Sequence, residues 1–183
     1  MKIVGIDPSL KNFGYAVCDL NIDGSKLLVT NPVLHHVATD KTKLKTQRVN
    51  SDDLRRATEQ QRAMGRIVEG CHFAFIEAPV GSQSSRAMAS YGIVIGVLAS
   101  LKMPYVLVLP SEVKMAGAGH KTASKEEMIA WAVKEIPDAN WPKLRGRIVS
   151  GKAEHIADAY AAIQAGIKTQ EFASALAILK MVA

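Results

Sequence analysis

The sequence predicts an α/β fold in which helices cover both faces of a mixed five-stranded sheet. Apolar stretches of strand length open the chain, and two further strand-like stretches alternate with segments of helical periodicity. The predicted order is three strands, helix, strand, helix, strand and then helices, which is typical of a sheet packed between two helical layers. The 183 residues, 48% of them hydrophobic, are sufficient for one domain over 1–183 with a substantial core.

The first part of the chain predicts a meander. An apolar strand ends on Asp7, the chain turns through Pro8 and Asn12, and a second apolar strand returns. Residues 27–30 and 33–37 are predicted to complete the meander. The following stretch, 39–50, is polar and carries four basic residues, which indicates an exposed loop.

The first helix is expected to begin near Ser51 and to end near Gly70. Asp52 or Asp53 in its first turn suits the positive end of the helix dipole. The predicted buried stripe is Leu54, Ala57, Met64, Ile67 and Val68, and the predicted outer face carries Arg55, Arg56, Glu59, Arg62 and Arg66.

The second half alternates short apolar elements with basic connections. We predict a strand over 72–77 that ends on Glu77, a buried helix over about 84–101, and a strand over 105–109. Gly92 and Gly96 are expected to allow close backbone approach to that buried helix. Its 15 uncharged residues are too few to span a bilayer, which takes about 20. We predict a loop over 111–121 and then a helix over 125–135 that is capped from 122–124. A basic connection over 140–152 follows. The chain is predicted to end with a helix over 153–163 and a final helix from 171 onwards.

Three acids are placed where a solvated surface role explains them poorly. Asp7 and Glu77 each end an apolar strand, and Asp158 lies in the middle of an apolar helix beside Glu154 and His155. Buried carboxylates are costly unless they are paired, hydrogen-bonded or bound to a metal. Taken singly, Asp7 could cap a turn, Glu77 could end an exposed strand, and His155 could be an ordinary helix histidine. Glu154 is best explained as a first-turn acid that complements the helix dipole.

These segments together resemble the RuvC family of Holliday junction resolvases. The resemblance covers nearly the whole chain. It depends on segments that occur in the family's order: residues 5–9 (GIDPS) with Gly14 and Ala16; Ile76 and Glu77; Val113, Lys114, Gly117, Gly119, Ser124 and Lys125; and residues 155–159 (HIADA). One departure is that members commonly carry an aromatic residue just after the central glutamate, where this chain has Ala78, Pro79 and Val80.

The resemblance implies a ribonuclease H-like fold and a Mg²⁺-dependent, structure-selective DNA endonuclease that acts on branched DNA as a homodimer. The acidic site falls on Asp7, Glu77 and Asp158, with His155 at a fourth position that is acidic in some members. These four side chains are expected to be catalytic and to hold two Mg²⁺ ions, for which Mn²⁺ would substitute. Carboxylates are usual ligands of such ions, and paired ions suit phosphodiester hydrolysis. The family's basic positions fall on Lys114 and Lys125.

Charge adds further candidates for DNA contact. The chain carries a net charge of +6, which modestly favours a polyanionic partner. Lys121, Arg145, Arg147 and Lys152 flank the predicted acidic site in sequence and suit phosphate contacts. The chain begins directly with a strand, and its two isolated cysteines fit a reducing compartment. We therefore expect the cytoplasm of a bacterial or phage-infected cell and no membrane partner.

Three alternatives remain open from the sequence. A ribonuclease H-like nuclease on RNA–DNA hybrids would use the same metals on another substrate. A catalytically inactive junction-binding protein is disfavoured by the intact set of acids. A sugar-kinase or actin-like ATPase is disfavoured because that architecture needs two such lobes, and only one is present here.

Overall fold

A computed structural model describes residues 1–24, 26–79, 81 and 83–182 of the chain, with side chains described up to 179. The strands are β1 (Lys2–Pro8), β2 (Asn12–Asp23), β3 (Lys26–Ala38), β4 (Phe73–Glu77), β5 (Tyr105–Val108), β6 (Lys143–Leu144) and β7 (Arg147–Ile148). The helices are α1 (Val49–Ile67), α2 (Ser85–Leu98), α3 (Pro110–Gly117), α4 (Lys125–Glu135), α5 (Ser150–Gly166) and α6 (Gln170–Val182).

The main sheet has five strands in the order β3-β2-β1-β4-β5. The first three strands form the predicted antiparallel meander, and β4 and β5 add in parallel beside β1. Two cores lie on opposite faces of this sheet. One packs α5 and α6 against the strands through residues such as Phe75, Ile163 and Phe172, and the other packs α1 and α2 through residues such as Met64 and Val94. The predicted fold class, a mixed sheet with helices on both faces, is confirmed.

Two predictions about chain segments are wrong in detail. Residues 110–117 form helix α3 where we expected a loop, because Pro110 suits a first helical position and Glu112 accepts from the Leu109 N–H. The basic connection contains the small hairpin β6–β7. Its two turn residues, Arg145 and Gly146, both have positive φ, as in the tight turns that join such strands.

The orientation predicted for α1 is wrong at two positions, although Met64 and Val68 are buried as predicted. Leu54, predicted to be buried, is 69% exposed, and Arg56, predicted to face solvent, is 3% exposed. The inward face includes Asp53, whose two oxygens accept from the Arg86 guanidinium at 2.5 and 2.6 Å. A polar ion-pair network therefore occupies the first part of the buried face of this helix, and hydrophobic periodicity alone could not reveal it.

Two smaller expectations also differ. The predicted strands 27–30 and 33–37 are one strand, β3, which passes through Asn31 at positive φ. Methyl groups added to Gly92 and Gly96 of α2 would meet no described atom within 4 Å, so the predicted close approach does not occur within the described chain. Val80, one of the three residues after Glu77 that we compared with the family pattern, lies outside the described residues. No helix among the described residues is both long enough and apolar enough to cross a membrane.

Candidate active site

The alternation of side chains along the strands directs Asp7 and Glu77 to the same face of the sheet. In β1, Ile3 belongs to the core under α5, whereas Ile6 belongs to the opposite core. A period of two residues therefore turns Asp7 towards α5. Ile6 pairs with Ile76 in the parallel ladder, so Glu77 ends β4 beside Asp7. Both carboxylates lie at the C-terminal end of their strands, as predicted.

Two glycines allow α5 to pack directly on the sheet. A Cβ added to Gly5 would overlap the carbonyl oxygen of Ala159, and one added to Gly14 would overlap the carbonyl oxygen of His155. The backbone of α5 therefore lies in contact with the backbones of β1 and β2 at these points. This close packing places His155 and Asp158 over the strand ends that carry the other two acids.

His155 and Asp7 form the shortest polar contact of the candidate site. Nδ1 of His155 lies 2.6 Å from Oδ2 of Asp7, and the two side chains are 17% and 15% exposed. Because the carboxylate can only accept, the imidazole N–H donates. Burial alone would lower the pKa of His155, but the bond to Asp7 and the nearby negative charges raise it above its usual value.

Glu154 connects this pair to a cation at the rim. Its Oε1 lies 3.4 Å from Nε2 of His155, and its Oε2 lies 2.8 Å from Nζ of Lys125. Lys125 is largely exposed, so the contact is a surface ion pair and adds little to stability. Glu154 therefore contacts the site through His155, and its place outside the metal ligands stays a prediction.

Glu77 and Asp158 show the electrostatic cost of gathering acids at one point. Burial and the Asp7 and Asp158 carboxylates raise the pKa of Glu77 to about 9. Burial and Asp7 likewise raise the pKa of Asp158 to about 7, with His155 acting in the opposite direction. The cation of Lys114 offsets part of both shifts. These four acidic and basic groups therefore share one electrostatic environment with His155.

The site fits a bound divalent cation in its donor chemistry. Oε2 of Glu77 is buried and has no hydrogen-bond partner among the described residues. A buried carboxylate oxygen without a partner is costly, and a hard cation is the usual partner of clustered carboxylates. The described side chains do not contain a group of three or more His, Cys, Asp or Glu arranged to hold a metal ion. The four predicted metal ligands therefore stay a prediction.

The predicted basic residues divide into two groups. Lys114, Lys125 and Lys152 lie near the site: Lys114 acts on Glu77 and Asp158, Lys125 bonds Glu154, and Lys152 acts on the neighbouring His36. The others are exposed away from these contacts. Lys121 borders a separate hollow with Glu112 and Lys168, and Arg145 and Arg147 belong to the β6–β7 hairpin.

Sequence reasoning missed His36 and Asn12. The His36 ring stacks on the His155 ring, with centroids 5.9 Å apart and planes at 23°. Its Nε2 donates to the Asn12 amide oxygen at 3.2 Å. The strand register contains the signal, because His36 pairs with Gly14, and Gly14 lies under His155. Finding it from sequence would have required the β2–β3 register in advance.

Comparison with known proteins identifies related sequences. The crossover junction endodeoxyribonuclease RuvC of Prochlorococcus marinus (strain NATL1A) is 25% identical over 143 residues, which cover 78% of this chain and 88% of that protein. The RuvC of Synechococcus sp. (strain CC9605) is 29% identical over 136 residues, which cover 74% of this chain and 84% of that protein. No family model matches the chain. The resemblance to RuvC is confirmed by these relatives.

A solved structure shares the fold. T. thermophilus RuvC, in complex with a Holliday junction substrate, superimposes with a TM-score of 0.61 at 19% identity. The match covers 90% of this chain and 92% of that chain. This likeness confirms the ribonuclease H-like fold that the resemblance implied.

Proposed function

We propose that this chain is a structure-selective DNA endonuclease that resolves Holliday junctions or other branched DNA by metal-dependent phosphodiester hydrolysis. The observation that carries the proposal is the set of Asp7, Glu77, Asp158 and His155 at one end of the sheet. Mutual repulsion among buried acids destabilises the folded protein, so a purely structural role does not explain this cluster. The similarity to RuvC sequences supports this choice among nucleases.

Asp7, Glu77, Asp158 and His155 would hold the divalent ions, and we propose two Mg²⁺ per site with Mn²⁺ as a substitute. When bound, such ions neutralise phosphate charge and lower the pKa of water. Oε2 of Glu77, which is buried without a hydrogen-bond partner among the described residues, supports the proposal. Glu154 stays outside this set, because it is paired with Lys125.

The chain's own groups would orient the substrate and hold protons. Asp7 fixes the orientation of the His155 ring by accepting from Nδ1, which leaves Nε2 towards Glu154. Lys114, whose charge acts on both Glu77 and Asp158, is placed to contact a phosphate that approaches these acids. Lys125 and Lys152 would extend this cationic surface, with Lys121, Arg145 and Arg147 further out.

We propose that the enzyme acts as a homodimer, in which two sites would face opposed strands of a branch. The surface of α2 supports this, because Ile95 is 55% exposed and a Cβ added to Gly92 or Gly96 would meet no described atom within 4 Å. A DNA substrate of this kind would be met in the cytoplasm of a bacterial or phage-infected cell.

Nicking of a synthetic four-way junction tests the proposed function. Matched four-way, flap, duplex and RNA–DNA hybrid substrates are incubated with Mg²⁺, Mn²⁺ or EDTA, and products are read on denaturing gels. We expect paired nicks in opposed strands of the junction, only with a divalent ion, from a protein that sediments as a dimer. Preferred cleavage of the hybrid would replace the proposed substrate. Binding of the junction without nicking under any ion would support an inactive junction-binding protein.

His36 is expected to position His155 for this reaction. His36→Ala removes the ring that stacks on His155, so the nicking rate at saturating DNA should fall about 10-fold, as when a residue behind a metal ligand is lost. His36→Phe keeps a stacking ring and should recover most of that loss, with KM unchanged in both variants. Single-turnover nicking rates provide the measurement. Equal losses in the two variants would show that stacking is not the contribution of His36.

A further inference from the structure

A basic groove lies on the α1–α2 side of the sheet, near the C-terminal end of β1, and has no part in the function described above. Its volume is about 870 Å³, and it opens between the β1–β2 turn, the 39–48 loop, α1 and α2. We define the basic groove by its basic side chains and its aromatic wall: Lys11, Lys41, Lys43, Arg56, Arg86 and Tyr91. The groove begins at Ser9, two residues after Asp7, so it reaches the C-terminal end of β1.

The floor of the basic groove is fixed by an ion-pair network. Asp53 accepts two bonds from Arg86, at 2.5 and 2.6 Å, and lies 3.9 Å from Nη1 of Arg56. Arg56 is buried and also donates to Thr39. Asp53 therefore contacts both guanidinium groups, and the charge of the neighbouring Asp52 also acts on both. Arg86 is 40% exposed in its side chain, so part of its charge faces the groove.

The loop that bears the rim lysines is anchored at two points. The Thr39 hydroxyl donates to the Leu10 carbonyl at 2.6 Å, and the Thr42 N–H donates to the Asp52 carboxylate at 3.2 Å. These bonds hold Lys41 and Lys43 at the mouth of the groove. Anchoring the backbone of this loop in advance lowers the entropy cost of ordering it when a ligand binds.

The rim lysines carry charge that the described chain does not compensate. Lys11, Lys41 and Lys43 are exposed, and no described carboxylate lies within ion-pair distance of them. Asp40 is the acidic residue among the lining side chains. Counting Asp52 and Asp53 beneath the two arginines, five basic groups face three acidic ones. Such an excess in a concave surface attracts polyanions and is suited to several phosphates in a row.

We infer that the basic groove binds the phosphate backbone of a DNA strand that passes over the C-terminal end of β1 on its way to or from the acidic site. Tyr91, Leu10 and Ala87 line the same groove and offer a wall for sugars or an unpaired base. The inference rests on the proposed function for the identity of the polyanion. It adds a second DNA-contact surface, separate from the lysines near Glu77 and Asp158.

Removing two rim lysines tests the inference. Binding of a fluorescent four-way junction is followed by anisotropy in EDTA, where no cleavage is expected, over a series of salt concentrations. For the double variant K41A/K43A we expect at least 10-fold weaker binding at 150 mM salt. We also expect the slope of log K against log salt to fall by about 1.8, since each lost phosphate contact contributes about 0.9.

The matched control is the double variant K102A/K134A, which removes the same charge. Lys102 precedes β5 at the opposite end of the sheet, and Lys134 lies at the far end of α4 from Lys125. Both are exposed and should leave affinity and salt slope unchanged. Wild-type affinity and slope in K41A/K43A would overturn the inference, whatever the nicking result. A wild type that nicks no substrate, with binding still lost in K41A/K43A, would overturn the proposed function and leave the groove assignment standing.

Discussion

Replacing Glu77 with glutamine is expected to abolish nicking and to raise the melting temperature of the metal-free protein. Glutamine keeps the shape of the side chain but carries no charge, so it cannot repel Asp7 and Asp158. If Glu77 merely supported the fold, its replacement would lower the stability of the protein. We expect the nicking rate of E77Q to fall by at least about 10³-fold, at or beyond the loss seen when one group that stabilises transition-state charge is removed.

The stability gain of E77Q should depend on pH in a defined window. In the folded protein the pKa of Glu77 is about 9, against an ordinary value of 4.5 for a glutamate side chain. Between these values the folded state binds more protons than the unfolded state, so the free energy of unfolding falls as pH rises. Asp158 contributes in the same direction, but only between 3.8 and about 7. From pH 7 to pH 9 the free energy of unfolding should therefore fall less in E77Q than in the wild type.

Thermal unfolding in EDTA and in Mg²⁺ measures both effects. Ion binding to the folded state raises the melting temperature by mass action, so the wild type should gain stability with Mg²⁺ and E77Q should gain much less. Glu69→Gln is the matched control, because Glu69 is exposed and lies outside the site. Destabilisation of E77Q at pH 8, or an unchanged response to Mg²⁺, would contradict the assigned role of Glu77.

The strand ends were the most predictable part of the site. Asp7 and Glu77 follow apolar strands, and a parallel pairing of those strands brings both acids to one edge. Asp158 and His155 were predictable as one helix face because their spacing of three residues is set by the helical period. Helix α4 was predicted with its observed bounds, since Ser124 and Glu127 form a capping box at its start.

Features that depend on tertiary partners were not predictable. Arg56 is buried because Asp53 and Thr39 lie next to it, and neither neighbour follows from helical periodicity. His36 approaches His155 only through the pairing of β3 with β2, which local sequence does not specify. The basic groove likewise combines a turn, a loop and two helices. In each case the missing information is the packing between segments that are distant in sequence.

Gly14→Ala is expected to produce a large loss of stability together with loss of activity. A Cβ at Gly14 would overlap the backbone carbonyl of His155, and neither strand β2 nor helix α5 can yield as a flexible side chain would. Overpacking of this kind costs about 1–3 kcal/mol, and we expect the upper end of that range. For a chain of this length, about 3 kcal/mol corresponds to a fall of roughly 6–12 °C in melting temperature.

The same overlap should remove activity in protein that is still folded. To relieve it, the start of α5 must move away from the sheet, and His155 then leaves the position from which it donates to Asp7. Nicking measured well below the melting temperature should therefore fall at least about 10-fold. Gly65→Ala is the control, since its Cβ would meet no described atom within 4 Å inside α1 and should stabilise by about 0.5–1 kcal/mol. Wild-type melting and nicking in G14A would mean that α5 does not rest on β2 at His155. The contact assigned here between the helix and the strands of the site would then be wrong.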